Sequence, residues 1–417
     1  MSVMRRSSSL GSTFDRLWAA SVTSNFADGL LGTAAPLLAV SLTRDPVTIA
    51  AFGALGSAAW LLFAIPIGAL ADRLDRGLAL AAANLVRFGL LVVLLSSVVF
   101  DFLSIPLMFV LAFLTGVCEV FVDTTTQAVM PMVLEPSQFE QGNARMSIAE
   151  SVIQAFVAGP IGGFLFVTAV ALPFALGTVG YLAAALLVLA AALQPHRPLR
   201  PVRSEEPKHF FEDLKDGLRF LFRAREVMTL VIFTTSAYMM FNFAHATLTL
   251  FILDELLVPE AWFGAFLTVG GLGYVAGSAV ATRVSTALGR GRAMAIGMVI
   301  SSVTVILEGL SPNAWTYLVC NFVGSTAIAI WNILLMACYQ GLIPAELFGR
   351  VHGARRTLVW GMGPIGAIFG GWVAHNGLRV PIVIGGIAIL VTTLLFYRTV
   401  VRIGTETAAA AVEQTNA

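Results

Sequence analysis

Four ionisable residues lie inside long apolar stretches of this 417-residue chain: Asp28, Arg87, Glu119 and Asp123. At 1.5 Å per helical residue, Arg87 and Asp123 lie about 13 and 12 Å from the nearest polar end of their stretches. Asp28 and Glu119 lie about 17 Å deep. An ionisable group among apolar side chains is costly unless it is paired or wetted, so each of the four is a candidate functional group. The chemistry open to such carboxyl groups is to bind and release a proton.

The similar depth of two of these residues predicts an ion pair. We expect Arg87 to neutralise Asp123, which leaves Asp28 and Glu119 as the proton-binding candidates. Asp28 is the first choice because it belongs to a polar or small stripe at helical spacing, formed by Ser21, Asn25, Asp28 and Gly32. The alternative is structural, since a buried carboxyl group can also be satisfied by Ser or Asn neighbours.

Polar residues also mark two stretches in the second half of the chain, and in the first of them they follow helical spacing. They are Tyr238, Asn242 and His245 in one stretch, and Asn321, Trp331 and Asn332 in the other. Together with Asn25, we expect these residues to contact a bound small molecule. A lone histidine in an apolar stretch is more often hydrogen-bonded than titrating in function, so His245 ranks below the carboxyl groups.

The elements that position these side chains are predicted to be membrane helices. Hydrophobic residues make up 58% of the chain and charged residues 12%, too apolar a composition for a water-soluble core. A bilayer core takes about 20 apolar residues per helix. Twelve stretches qualify: 17–43, 48–71, 78–100, 103–131, 146–168, 170–194, 227–253, 261–282, 293–310, 313–338, 356–376 and 380–400. The sequence therefore predicts an all-α integral membrane protein with twelve transmembrane helices.

The basic residues predict the orientation of these helices. The chain has 25 Lys and Arg residues, and all but Arg44, Arg87 and Arg379 fall at the two ends or in alternate connections. Because basic residues in short loops stay on the cytoplasmic side, both termini are expected to be cytoplasmic. The polar stretch before the first apolar run does not resemble a secretory signal.

Several function classes lack support in the residues. The three cysteines, Cys118, Cys320 and Cys338, have no metal-ligand spacing, so we expect neither a disulfide framework nor a metal site. A net charge of +1 gives no reason to expect nucleic acid. No His-rich box, nucleophile elbow or paired-His motif suggests an enzyme, and no pore filter suggests a channel. Nothing requires a cofactor or an oligomer, and a monomer is expected.

The longest polar stretch, 195–226, divides the chain in two. It has a Pro- and Arg-rich piece followed by an amphipathic piece that could lie on the anionic inner leaflet. We interpret it as a cytoplasmic linker between a six-helix bundle over 1–194 and a second bundle with a cytoplasmic tail over 227–417. The two bundles are predicted to be pseudo-symmetric, because the run Gly159–Gly162 (GPIG) recurs as Gly363–Gly366.

The run GALADRLDR, from Gly68 to Arg76, closes the second apolar stretch. It resembles the loop between helices 2 and 3 of the major facilitator superfamily, with Asp75 where that family usually has glycine. The resemblance implies that Gly68, Asp72, Arg73 and Arg76 form a latch that docks against helix 11 when the cytoplasmic side is shut. A carboxylate there can face the positive end of a helix.

A second run, AGPIGG, lies in the fifth apolar stretch. Pro160 removes a backbone hydrogen bond, and Gly159, Gly162 and Gly163 expose backbone for close packing. The run resembles the helix 5 motif of antiporters in the same superfamily, where it is held to seal the path between the halves. The structural alternative is a packing kink.

The resemblance implies a secondary transporter of the bacterial inner membrane. The leading interpretation is export of an amphipathic small molecule or drug by proton antiport and alternating access, in which a proton and a cationic cargo take turns at an acidic residue. Two alternatives stay open: a dedicated exporter of one metabolite such as a siderophore, and a proton-symport importer. The expected partners are the cargo, protons and the lipid bilayer.

Overall fold

The computed structural model describes residues 10–71, 74–135, 138–194, 199 and 219–416, and within these ranges the chain forms helices and no strands. The fully described α-helices of eight or more residues are α1 (Ser12–Leu42), α2 (Pro46–Ala71), α3 (Arg76–Val99), α4 (Ile105–Val133), α5 (Phe139–Ser147), α6 (Gly159–Thr168), α7 (Ala171–Ala192), α8 (Arg225–Ala244), α9 (Glu260–Leu288), α10 (Arg290–Gly309), α11 (Ala314–Leu342), α12 (Ala345–Gly361), α13 (Gly363–Val373) and α14 (Arg379–Asn416).

Twelve segments of the described chain are long and apolar enough to cross a bilayer, which confirms the expected number. Each contains a window of apolar residues as long as the hydrocarbon core requires. Large apolar side chains such as Phe164, Trp372 and Leu395 are exposed on their surfaces. Exposed apolar surface of this extent suits contact with lipid.

Several of the predicted boundaries were wrong. The segment expected over 146–168 begins earlier, with α5, and continues through a π-helical stretch, Ile148–Ala158, into α6. The missing N–H of Pro160 lies just after this stretch, where the regular hydrogen-bond ladder cannot continue. The segment expected over 227–253 is interrupted after Ala244. The helix expected from residue 356 begins at Ala345, as α12.

The chain forms two compact units. The first comprises Met1–Leu42, Leu62–Glu206 and Glu260–Ala265, and the second comprises Thr43–Leu61, Pro207–Pro259 and Phe266–Ala417. The expected division into bundles at 195–226 stays a prediction, and most of that linker lies outside the described residues.

Each unit has its own apolar core. In the first unit, Phe14, Leu80, Val129 and Val188 bring α1, α3, α4 and α7 together. In the second, the core includes Leu230, Phe233, Trp331 and Tyr339, and Leu221 from the described end of the linker packs into it. These cores hold in place the helices that carry the polar side chains.

Candidate functional site

A buried ion pair lies inside the first unit. Arg87 of α3 donates a hydrogen bond to a carboxylate oxygen of Asp28 on α1. The side chain of Arg87 is 1% exposed and that of Asp28 is 12% exposed. Tyr181 of α7 completes the group, because its hydroxyl donates to the same oxygen of Asp28 at 2.6 Å and accepts from Arg87 at 3.0 Å. Three helices are therefore joined at one carboxylate.

Two further carboxyl groups lie around this ion pair. Glu119 and Asp123, one helical turn apart on α4, are both within electrostatic reach of Arg87, and Glu119 is also within reach of Asp28. Among the residues that the structure describes, no side chain forms a hydrogen bond with Glu119. We call Asp28, Arg87, Glu119, Asp123 and Tyr181 the acidic cluster.

The acidic cluster corrects the expected pairing. Arg87 was expected to bind Asp123 and to leave Asp28 unpaired, but the structure places Asp28 on Arg87. The physical reason is that depth alone does not select a partner, since the rotation of each helix decides which side chains face one another. Tyr181 was not among the sequence candidates. A single tyrosine in an otherwise apolar helix was the only signal for it.

A cleft of the first unit opens beside the acidic cluster. Ser21 and Asn25 of α1, Asp123 of α4 and Glu150 of the π-helical stretch are among its lining residues. The amide of Asn25 donates to the backbone oxygen of Ser21 at 2.8 Å, so it is held by its own helix. Asp123 and Asn25, two of the sequence candidates, therefore line the same cleft.

A second polar cluster lies in the second unit. His245, the residue that ends α8, has its Nε2 atom 3.0 Å from a carboxylate oxygen of Glu308 on α10. The amide of Asn321 on α11 donates to the other carboxylate oxygen at 3.2 Å. His245 and Asn321 were separate candidates, and the structure brings them together through Glu308. Glu308 was missed because it lies two residues before the end of its apolar stretch, where an acidic residue resembles a loop residue.

The other candidates for cargo contact have different surroundings. The amide of Asn242 donates to the backbone oxygen of Tyr238 at 2.9 Å, and both side chains lie against Gly363. Asn332 is exposed. Trp331 is 2% exposed and packs edge-to-face on Phe233 with ring centres 5.1 Å apart. The position of Trp331 in the core is that of a packing residue, so cargo contact is not supported for it.

An arginine held between two tryptophans was also missed. The guanidinium carbon of Arg356 lies 4.6 Å from the ring centre of Trp60 and 4.3 Å from that of Trp360. The neighbouring Arg355 lies 4.5 Å from the ring centre of Tyr339. Both arginines are inside a helix because α12 begins at Ala345, before the predicted boundary. Aromatic faces stabilise a guanidinium group that has left bulk water.

The expected latch is only partly described. Gly68 lies in α2, whereas Asp72 and Arg73 lie outside the described residues. Arg76 begins α3 and donates to the backbone oxygen of Ala128 at 2.9 Å, which ties the start of α3 to α4. The latch stays a prediction.

The glycines of the second motif lie at close backbone contacts in the first unit. A Cβ atom at Gly162 would lie 2.9 Å from the backbone oxygen of Leu30 on α1. One at Gly163 would lie 3.2 Å from the backbone nitrogen of Gly264 at the start of α9. In the second unit, the corresponding Gly366 contacts the backbone of Met239 on α8 in the same way. Absent side chains let these helices approach closely.

Comparison with known families identifies a relationship over nearly the whole chain. Residues 9–417 match a family described as "transmembrane secretion effector". Two proteins of Bacillus subtilis (strain 168), both described as uncharacterized MFS-type transporters, are similar to it. YkuC is 23% identical over 300 residues, covering 69% of this chain and 68% of its own. YceJ is 26% identical over 351 residues, covering 83% and 85%.

Solved structures show the same fold at low sequence identity. The nucleoside transporter NupG superposes with a TM-score of 0.70 at 14% identity, covering 93% of this chain and 99% of its own. A bacterial homologue of the iron transporter ferroportin gives 0.68 at 13% identity, covering 96% and 100%. The peptide transporter POT in complex with alafosfalin gives 0.74 at 16% identity, covering 94% of each chain.

Proposed function

The chain belongs to the transmembrane secretion effector family of major facilitator transporters, and from this premise we propose that it exports an amphipathic small molecule by proton antiport. The family description supports the outward direction, as does the Gly159–Gly163 run. The protein is a membrane transporter rather than an enzyme. We place it in the bacterial inner membrane because of its family, and both termini in the cytoplasm because of the distribution of basic residues.

One observation supports proton coupling above all others. The acidic cluster holds three carboxyl groups within electrostatic reach of one guanidinium group, inside apolar helices. Uncompensated charge in such surroundings is costly, so the cluster favours a further positive charge. A proton and a cationic group of the cargo would both supply it. If only one of them is bound at a time, uptake of a proton expels the cargo, and the inward proton gradient drives export.

Within the cluster, Glu119 replaces Asp28 as the first choice for the exchanging group. Asp28 accepts hydrogen bonds from Arg87 and Tyr181, and a proton there would weaken both of them. Glu119 has no hydrogen bond to lose among the described residues. We assign Asp28 to the structure of the cluster and Glu119 to proton exchange, with Asp123 and Asn25 in the neighbouring cleft as cargo contacts.

The test is a reconstituted assay that records the pH inside vesicles while amphipathic compounds are added outside under an imposed pH gradient. Cargo-dependent proton movement in the opposite direction to the cargo is expected for the wild type. Glu119→Gln should abolish it, whereas Asp101→Asn, a change in the exposed connection between α3 and α4, should not. Transport of cargo that is unchanged when both the pH gradient and the membrane potential are collapsed would contradict the proposal.

The same assay separates the alternatives. Proton movement in the same direction as the cargo would identify a symporter. A panel of unrelated cationic, neutral and anionic compounds would separate a multidrug exporter, which moves several of them, from a dedicated exporter of one metabolite.

A further inference from the structure

The buried His245–Glu308 pair has more hydrogen-bond acceptors around it than a neutral histidine can serve. Nδ1 of His245 lies 3.1 Å from the backbone oxygen of Phe241, and Nε2 lies 3.0 Å from the carboxylate oxygen of Glu308. A carbonyl oxygen can only accept, so Nδ1 must carry a proton to make the first bond. In neutral imidazole the other nitrogen then has none. Both bonds therefore form only when the pair holds one additional proton.

That proton has two equivalent descriptions. Either the imidazole is doubly protonated and donates to the Glu308 carboxylate, or a protonated Glu308 donates to Nε2 of neutral His245. In both cases the pair gains one proton, and its net charge changes from −1 to 0. The second carboxylate oxygen accepts from Asn321 at 3.2 Å, so the protonated pair leaves no oxygen of Glu308 without a donor.

Burial makes the proton important for the local structure. The side chain of Glu308 is 3% exposed and that of His245 is 11% exposed. If the pair loses its proton, one of the two ring contacts is left without a proton. The Phe241 oxygen still accepts from the backbone N–H of His245, but a Glu308 carboxylate oxygen that loses its donor is a buried acceptor without one, which is costly. The ring or the end of the helix must then move.

The chain is already interrupted at this point. His245 caps the end of α8, and its backbone oxygen accepts from the N–H of Leu248, where a short helical turn begins. A change in the hydrogen bonds of His245 thus acts at a break in the helix, where movement disrupts fewer backbone hydrogen bonds than in an intact helix.

The other titratable and charged groups near the pair are few in the described part of the second unit. Tyr317 and Cys320 of α11 are within electrostatic reach of Glu308. Arg379, which begins α14, donates to the backbone oxygens of Gly309 and Ser311 and to a carboxylate oxygen of Glu255 at 2.9 Å. The positive charge of Arg379 is thus already shared with Glu255, and His245 is the basic side chain in contact with Glu308.

We propose that the His245–Glu308 pair is a second proton-binding site of this protein, which exchanges one proton during transport and is separate from the acidic cluster. The site lies at the end of α10 that adjoins the connection to α11. In the orientation proposed above, this end faces away from the cytoplasm, so the pair takes its proton from the outer side. The role of the pair in transport rests on the proposed proton antiport. The presence of a bound proton at the pair does not depend on that proposal.

The first experiment measures the proton without any transport. The full-length protein, labelled with ¹⁵N-histidine and reconstituted in lipid, is studied by NMR over a range of pH, with infrared detection of protonated carboxyl groups. His245→Gln identifies the His245 signals among those of the five histidines. At neutral pH we expect either a doubly protonated imidazole at His245 or a carboxylic acid band that is lost in Glu308→Gln. A singly protonated His245 with no such band would overturn the proposal.

The second experiment uses the vesicle assay. His245→Gln and Glu308→Gln should each lower the number of protons moved per cargo, while His375→Gln, which alters an exposed histidine, should not. Unchanged stoichiometry in both variants would overturn the transport role. If the wild type moves no protons at all, antiport itself fails, and the spectroscopic result still decides whether the pair holds a proton.

Discussion

Arg87 and Asp28, 59 positions apart in the sequence, form an ion pair that is almost completely buried between α3 and α1. Each charge lies in apolar surroundings, where an ionised group without a partner is costly. The pair therefore has a structural role in the first unit, whatever it contributes to transport.

Removing one member of this pair should destabilise the protein. Asp28→Asn removes the carboxylate that Arg87 and Tyr181 share, and breaking a buried pair in this way costs roughly 3–5 kcal/mol. Thermal unfolding of the purified protein in detergent should show a clear loss of stability. The double variant Asp28→Asn, Arg87→Gln removes both charges and should recover much of it.

The matched control is an exposed ion pair of the same unit. Asp15 lies 3.3 Å from Arg145, and their side chains are 53% and 39% exposed. Asp15→Asn should change stability by at most about 1 kcal/mol, because solvent screens such pairs. An equal effect of Asp28→Asn and Asp15→Asn would show that burial of the first pair is unimportant.

The Tyr181 hydroxyl should contribute through its hydrogen bonds. Tyr181→Phe keeps the ring but removes the group that donates to Asp28 at 2.6 Å and accepts from Arg87 at 3.0 Å. A buried hydrogen bond to a charged group is worth about 1.5–3 kcal/mol, so a loss of that size is expected in the same unfolding assay. In Asp28→Asn the further change Tyr181→Phe should have a smaller effect. Tyr274→Phe, at an exposed ring, is the control, and a comparable loss there would contradict the assignment.

Close packing at the second motif should not tolerate a methyl group. A Cβ atom at Gly264 would lie 2.0 Å from the backbone oxygen of Gly159, so Gly264→Ala must separate the start of α9 from α6. Overpacking of this kind costs about 1–3 kcal/mol, and transport rate and thermal stability should both fall. Gly32→Ala is the control, because its Cβ atom would have no neighbour within 4 Å. Wild-type behaviour of Gly264→Ala would mean that the contact is not needed.

The aspartate that precedes α2 should give a pH-dependent contribution to stability. Asp45 accepts hydrogen bonds from the Thr48 hydroxyl at 2.5 Å and from the Thr48 backbone N–H at 2.8 Å. These bonds, with a smaller contribution from His375, hold the pKa of Asp45 below its ordinary value. A lowered pKa in the folded state means that the stabilisation is present above the unfolded pKa and is lost as the pH falls through the folded one.

We therefore expect Asp45→Ala to destabilise the protein by about 1 kcal/mol at pH 7, the usual value of a helix cap. The difference in stability from the wild type should become smaller as the pH falls below about 4, the unfolded pKa, toward the lowered folded pKa. Asp45→Asn can still cap the helix, so its stability should vary less with pH. If the difference in stability between Asp45→Ala and the wild type is constant from pH 7 to pH 3, the charge of Asp45 has no role.

Some features of the site could be predicted because they depend on local composition. Asp28, Arg87 and Glu119 were recognised as candidates because an ionisable residue is conspicuous in an apolar stretch. Glu308 was not recognised, since it lies near the end of such a stretch, and the start of α12 was placed too late because Glu346 and Arg350 interrupt the apolar pattern of its first turns. Tyr181 could not be distinguished from a packing residue, because a tyrosine is common in either role.

By itself, the sequence determined that the chain crosses the membrane twelve times, where the breaks at Pro160 and the paired glycines lie, and which ionisable residues are held in apolar surroundings. These properties follow from the hydrophobicity and backbone chemistry of short segments. Only the tertiary structure decided that Arg87 binds Asp28 and that His245 meets Glu308. The reason is physical: side chains at similar depth are equivalent partners until the packing of the helices, through contacts far apart in sequence, sets how each helix is rotated.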